Sequence, residues 1–192
     1  MTDPAPPRPP GRVRVWGLLL RIFHWGLVSG VAVAWVTDHG PPWLHDGADY
    51  AALALVCLRV ALGFFGAPAE RFARFVVGWR ATLGYVREMQ AGREPRFFGH
   101  NPLGGWMTVA LLAVVFATGA TGWLYTTNAF WGVAWVEDLH GALADFLIIL
   151  IFVHVAGVAF TSYRDGENLV AAMVHGRKPR TTSRHRGDAI DP

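Results

Sequence analysis

Four stretches of the chain stay apolar over lengths that match a bilayer, and polar segments separate them. They read VWGLLLRIFHWGLVSGVAVAWV, WLHDGADYAALALVCLRVALGFFG, NPLGGWMTVALLAVVFATGATGWLYTT and LHGALADFLIILIFVHVAGVAF. A hydrocarbon core about 30 Å thick needs about 20 helical residues to cross it. The pattern therefore predicts four transmembrane helices, at about 15–37, 44–65, 102–125 and 137–162. Four spans and their short connections take up most of the 192 residues, so the expected fold is all-α, an up-down four-helix bundle integral to a membrane. Between spans two and three, ERFARFVVGWRATLGYVREMQ alternates Arg with apolar residues at helical spacing. This pattern predicts an extra amphipathic helix at the membrane interface. Asn101 and Pro102 form an N-cap and first-turn pair that opens span three.

The ends differ from the middle. Residues 1–12 form a Pro-rich arm expected to be disordered, residues 13–175 the membrane domain, and 176–192 a polar tail. The first apolar segment is too long for a signal peptide and lacks a small-residue cleavage site. Hydrophobic content of 53% with only 16% charged residues supports a membrane class.

Charge placement adds a direction. The arm and first turn hold Arg8, Arg12, Arg14 and Arg21, and the central connection holds six arginines from Arg71 to Arg96. The C-terminal segment holds Arg164, Arg177, Lys178, Arg180, Arg184 and Arg186, while residues 36–50 and 125–140 carry no Lys or Arg. Cytoplasmic loops carry the excess of basic residues, so both termini and the central loop are expected in the cytoplasm of a bacterial inner membrane. A net charge of +3 then reflects topology and not nucleic-acid binding.

Histidines supply the candidate chemistry. His140 and His154 lie fourteen residues apart on span four, close to four helical turns, so they share a face about 21 Å apart. Imidazole within a bilayer is costly and usually has a polar task. With the expected topology, His24 in span one lies at the cytoplasmic depth of His154, and His45 in span two at the periplasmic depth of His140. Two histidines per layer, with no nearby cysteine, fall short of the ligand set zinc prefers. They suit an iron porphyrin bound from both faces. Cys57 is the only cysteine, which rules out CxxCH attachment, so the expected groups are two non-covalent b haems. Gly26, Gly30, Gly119, Gly122, Gly141 and Gly157 offer small positions for close approach. Arg59, deep in span two, is the candidate partner of a haem propionate on the cytoplasmic side, with pairing to Asp145 or reach to the interface as alternatives.

RIFHW in span one, LHDGADYAALALVCLRVALGFFG in span two, GHNPLGGWM entering span three and LHGALADFLIILIFVHV in span four occur in order over roughly residues 13–180. In these pieces the chain resembles the bacterial cytochrome b561 family, which includes nickel-iron hydrogenase cytochrome b subunits. The resemblance implies a four-helix dihaem membrane cytochrome with ligands at His24, His45, His140 and His154. It also implies exchange of electrons between the quinone pool, ubiquinone or menaquinone, and a partner. The chain is shorter than the hydrogenase subunits tend to be.

The remaining histidines read as ordinary: His39 as a loop residue, His100 as structural at a helix start, and His175 and His185 as tail residues. The periplasmic connections carry Asp38, Asp46, Asp49, Glu137 and Asp138 and no base. Such a face attracts a basic redox protein, such as a c-type cytochrome, and disfavours the anion superoxide as substrate. Asp38, His39, Glu137 and Asp138 are the candidates to serve a quinone's protons there. Three readings follow: an electron carrier between quinones and a periplasmic protein, a superoxide oxidase that reduces ubiquinone, and an anchor subunit of a hydrogenase or related oxidoreductase.

Overall fold

The computed structural model describes residues 12–66, 71–93, 97 and 101–179. The arm up to residue 11, His100 and the tail beyond residue 179 lie outside the described residues. Among the described residues, four helices are long and apolar enough to cross a membrane: α1 (Leu18–Val36), α2 (Pro42–Phe65), α4 (Pro102–Tyr125) and α5 (Ala134–Asp165). Between α2 and α4 lies α3 (Trp79–Gln90), and α6 (Leu169–His175) follows α5.

Local chemistry sets the helix ends. Pro42 sits in the first turn of α2, and Asn101 accepts a hydrogen bond from Gly104 N at 2.7 Å to start α4, as its sequence predicts. Gly166 ends α5 in the left-handed region, at φ 64°. The fourth span runs beyond both expected ends; its 32 residues make a helix about 48 Å long, so it tilts or projects from the bilayer. The arginine-rich stretch before α4 is helical only from Trp79. Upstream, Phe72–Arg74 form a single 3₁₀ turn, and Val76, Val77 and Gly78 continue without helix. Packing explains the departure: Phe72 closes over Gly63, where any Cβ would collide with its ring, and Trp106 Nε1 donates to Val77 O at 3.1 Å.

The helices pack in the order α1, α2, α4, α5, and α1 and α5 share no contact of similar extent. The cross-section is therefore open along the α1–α5 seam. Ala52, Val56, Leu112, Val115 and Leu147 form the core, with Phe23, Leu27 and Val31 of α1 against it. Leu147 lies seven residues from both His140 and His154, so this apolar layer sits midway between the two histidine depths.

At the terminal end a clasp closes the seam. Strand β1 (Arg12–Arg14) pairs antiparallel with β2 (Arg177–Pro179), in register Val13 to Lys178. Val15 N donates to Gly176 O at 2.9 Å, and Arg21 donates to Val174 O at 2.5 Å. Lys178 Nζ meets Glu167 Oε2 at 3.1 Å, with both side chains largely buried. Gly176 turns the chain at φ 76°, and a Cβ there would lie 2.7 Å from Trp16 O. Gly176→Ala is thus disfavoured by conformation and by sterics, and is expected to destabilise the clasp by about 1–3 kcal/mol. Faster trypsin cleavage after Arg177 in the variant is the readout.

Candidate functional site

The two histidine depths become two places in the bundle. The far site, away from the termini, joins His45 of α2 and His140 of α5. The near site joins His24 of α1 and His154 of α5.

At the far site the rings are 6.1 Å apart, centroid to centroid, and nearly perpendicular at 78°. A metal held between two imidazoles by bonds of about 2 Å would separate the centroids by about 6 Å. Both rings are oriented by backbone. His45 Nδ1 lies 2.9 Å from Ala34 O, and His140 Nδ1 lies 3.0 Å from Thr118 O. A carbonyl oxygen only accepts, so each Nδ1 carries the hydrogen. In the neutral ring, Nε2 is then left with its lone pair, the form that ligates a metal. Thr121 Oγ1 stands 3.3 Å from His140 Nδ1 and also bonds the carbonyls of Ala117 and Thr118 at 2.9 Å.

These histidines border a cavity of about 300 Å³, between α1, α2, α4 and α5. Ala52, Val115 and Leu147 of the core form its floor. Trp35 and the carboxylates of Asp38, Asp49 and Asp145 complete its wall, and none of the lining residues is Lys or Arg. Gly141 lines it too, with open space where a Cβ would stand. Asp49 is buried, at 9% exposure, and a Cβ on Gly122 would collide with its Oδ2 and come within 3.0 Å of His140 Cε1.

The near site spans the open seam, since its two histidines come from the helices that barely touch. Both are half-buried, and they are close enough to interact electrostatically. His24 Nδ1 is buried with no hydrogen-bond partner among the described residues, so that nitrogen is available to a bound group. Arg59 follows His45 by fourteen residues, as His154 follows His140, and so reaches the same depth as His154. It is 6% exposed, and its guanidinium lies 4.8 Å from the centroid of Phe72 and 5.9 Å from that of Phe75.

Among the described residues, no three His, Cys, Asp or Glu side chains gather as a metal site. Each site is a pair on opposite walls of a gap, a donor set suited to a metal whose other positions are filled by a planar macrocycle. The family model of prokaryotic cytochrome b561 matches residues 15–176. The chain belongs to the prokaryotic cytochrome b561 family. It is accordingly a membrane b-type cytochrome that binds haem and transfers electrons. No curated protein and no solved structure matches it.

This cytochrome also holds functional groups that the sequence reading did not single out. Asp49 reads as one more acid of the periplasmic face, yet it is buried and lines the cavity that the far histidines border. Its signal is spacing: it follows His45 by four residues, one helical turn on the same face. The carbonyls of Ala34 and Thr118 carry no sequence signal. Two further contacts tie the far end together: Tyr125 donates to Glu137 Oε2 at 3.0 Å, and Tyr50 Oη lies 2.7 Å from Thr126 Oγ1.

Proposed function

We propose that this cytochrome holds two b haems, one between His45 and His140 and one between His24 and His154, and relays single electrons between the quinone pool and a basic periplasmic redox protein. The observation that carries this reading is the far pair: two imidazoles 6.1 Å apart, each with Nδ1 held by a carbonyl and Nε2 free to ligate. Bound haem supplies a reversible one-electron couple at its iron.

The chain's own residues do the rest. His45 with His140, and His24 with His154, would hold the two haems, and a pair of imidazoles would favour electron transfer over oxygen binding. The carbonyls of Ala34 and Thr118 hold the far ligands in one tautomer and one orientation. Leu147 and its core neighbours keep water from the layer between the sites. Arg59, at the depth of the near site, is placed to meet a haem propionate.

The arrangement of arginines supports an orientation with both termini cytoplasmic, so the far site faces the periplasm. There Asp38, Glu137 and Asp138 are exposed, with Trp43, Trp131 and Trp135 around them. A surface of that sign, with no Lys or Arg in residues 36–50 or 125–140, favours a positively charged partner such as a c-type cytochrome.

Detergent-purified protein is expected to show two b haems per chain by pyridine haemochrome, with low-spin spectra. In vesicles, quinol is expected to reduce them and a basic soluble c-type cytochrome to reoxidise them, at a rate that falls as salt rises. Haem reduction by superoxide, with no transfer to the soluble cytochrome, would instead support the oxidase reading.

A further inference from the structure

Asp49 stands apart from the other acids of the far end. It is 9% exposed, whereas Asp38, Glu137 and Asp138 are open to solvent. Its carboxylate lines the same cavity as His45 and His140 and is close enough to interact electrostatically with both. Gly122 lets it in: with no Cβ, α4 leaves the space that Asp49 Oδ2 occupies beside the His140 ring. The other charged groups around the cavity are Asp38 and Asp145, with Asp46 also within electrostatic range. All four carry the same sign, and no Lys or Arg lines the cavity. A charge so buried is weakly screened and acts strongly on a neighbour.

We infer that Asp49 is a positioning residue of the far site that lowers the reduction potential of the haem ligated there. The inference rests on the two-haem reading above. The physical reason is direct. Oxidation adds one positive charge at the iron, and a fixed negative charge beside the ligating rings stabilises that state relative to the reduced one. Electrons are therefore held less tightly at the far site than two imidazoles alone would hold them. Because Asp49 and His45 share one helix, four residues apart, the charge is carried on the same rigid element as the histidine that would hold the haem.

The test is a spectroscopic redox titration of the full chain, as wild type, Asp49→Asn and Asp49→Glu. Asparagine keeps the size of the side chain and removes its charge. In Asp49→Asn one of the two haem components is expected to rise in potential, with its reduced-to-oxidised ratio about tenfold higher at a fixed potential. For a one-electron couple that is about 59 mV. The other component is expected to stay in place, and the haem content and low-spin spectrum to be retained. Asp49→Glu, which restores the charge, is expected to return the shifted component towards the wild-type value. Two haems with unmoved potentials in Asp49→Asn would overturn the inference and leave the two-haem reading intact. Equal shifts of both components would also overturn it, since Asp49 sits at one site only. If Asp49→Asn does not fold, Asp49→Ser, smaller and also uncharged, takes its place: one component that rises supports the inference, and two unmoved potentials overturn it. A wild-type chain with fewer than two haems would overturn the reading beneath it instead.

Discussion

Replacing His154 by alanine is expected to halve the haem content of the purified protein, from two b haems per chain to one, with the far haem the one that stays. Among the described residues the near site offers His24 and His154, so removing one would leave a single imidazole to hold the haem there. The far site shares no residue with it. His140 is about 21 Å away along α5, and Leu147 and its neighbours fill the layer between. The α5 helix keeps its packing on α4, because His154 is half-buried and faces the seam. Haemochrome absorbance per chain measures the effect, and folded protein that loses both haems would contradict two independent layers.

Gly122→Leu is expected to do the reverse, removing the far haem and keeping the near one. Even a methyl group at residue 122 would meet Asp49 Oδ2 and approach His140 Cε1 to 3.0 Å. A leucine must push both side chains aside, and His140 cannot move without giving up its bond to Thr118 O. Overpacking of this kind costs about 1–3 kcal/mol, so the thermal midpoint falls as well. Haem content, together with a redox titration that retains only the near component, is the check. Run together, the two variants assign each spectral component to a site without reference to potentials.

The parts of this protein legible in its sequence are those that depend on one element at a time. Each span declares itself by apolar length, α4 by the Asn101–Pro102 start, and the two histidine depths by the fourteen-residue spacing on α5. The family resemblance, carried by RIFHW and the three later pieces, is borne out by the match over residues 15–176. What the sequence hides depends on register between elements. Asp49 is a surface acid or a buried one according to whether α4 presents a glycine to it, and Gly122 is 73 residues away. The segment around Phe72 reads as helix from its own pattern, but its ring finds Gly63 and the backbone follows. The pairing of Val13 with Lys178 has no local signal at all, because each short strand is polar and unremarkable alone.

That last pairing has a consequence for how the protein is made. The clasp joins residues 12–14 to residues 177–179, so the ribosome must synthesise nearly all of the described chain between one half and the other. At about 5–20 residues per second, the interval is on the order of ten seconds. During that time α1 is already in the bilayer while the backbone carbonyl that receives Arg21 does not yet exist. The first helix therefore waits on its apolar length and its packing against α2, and the clasp beside it closes only once residues 174–179 have been made.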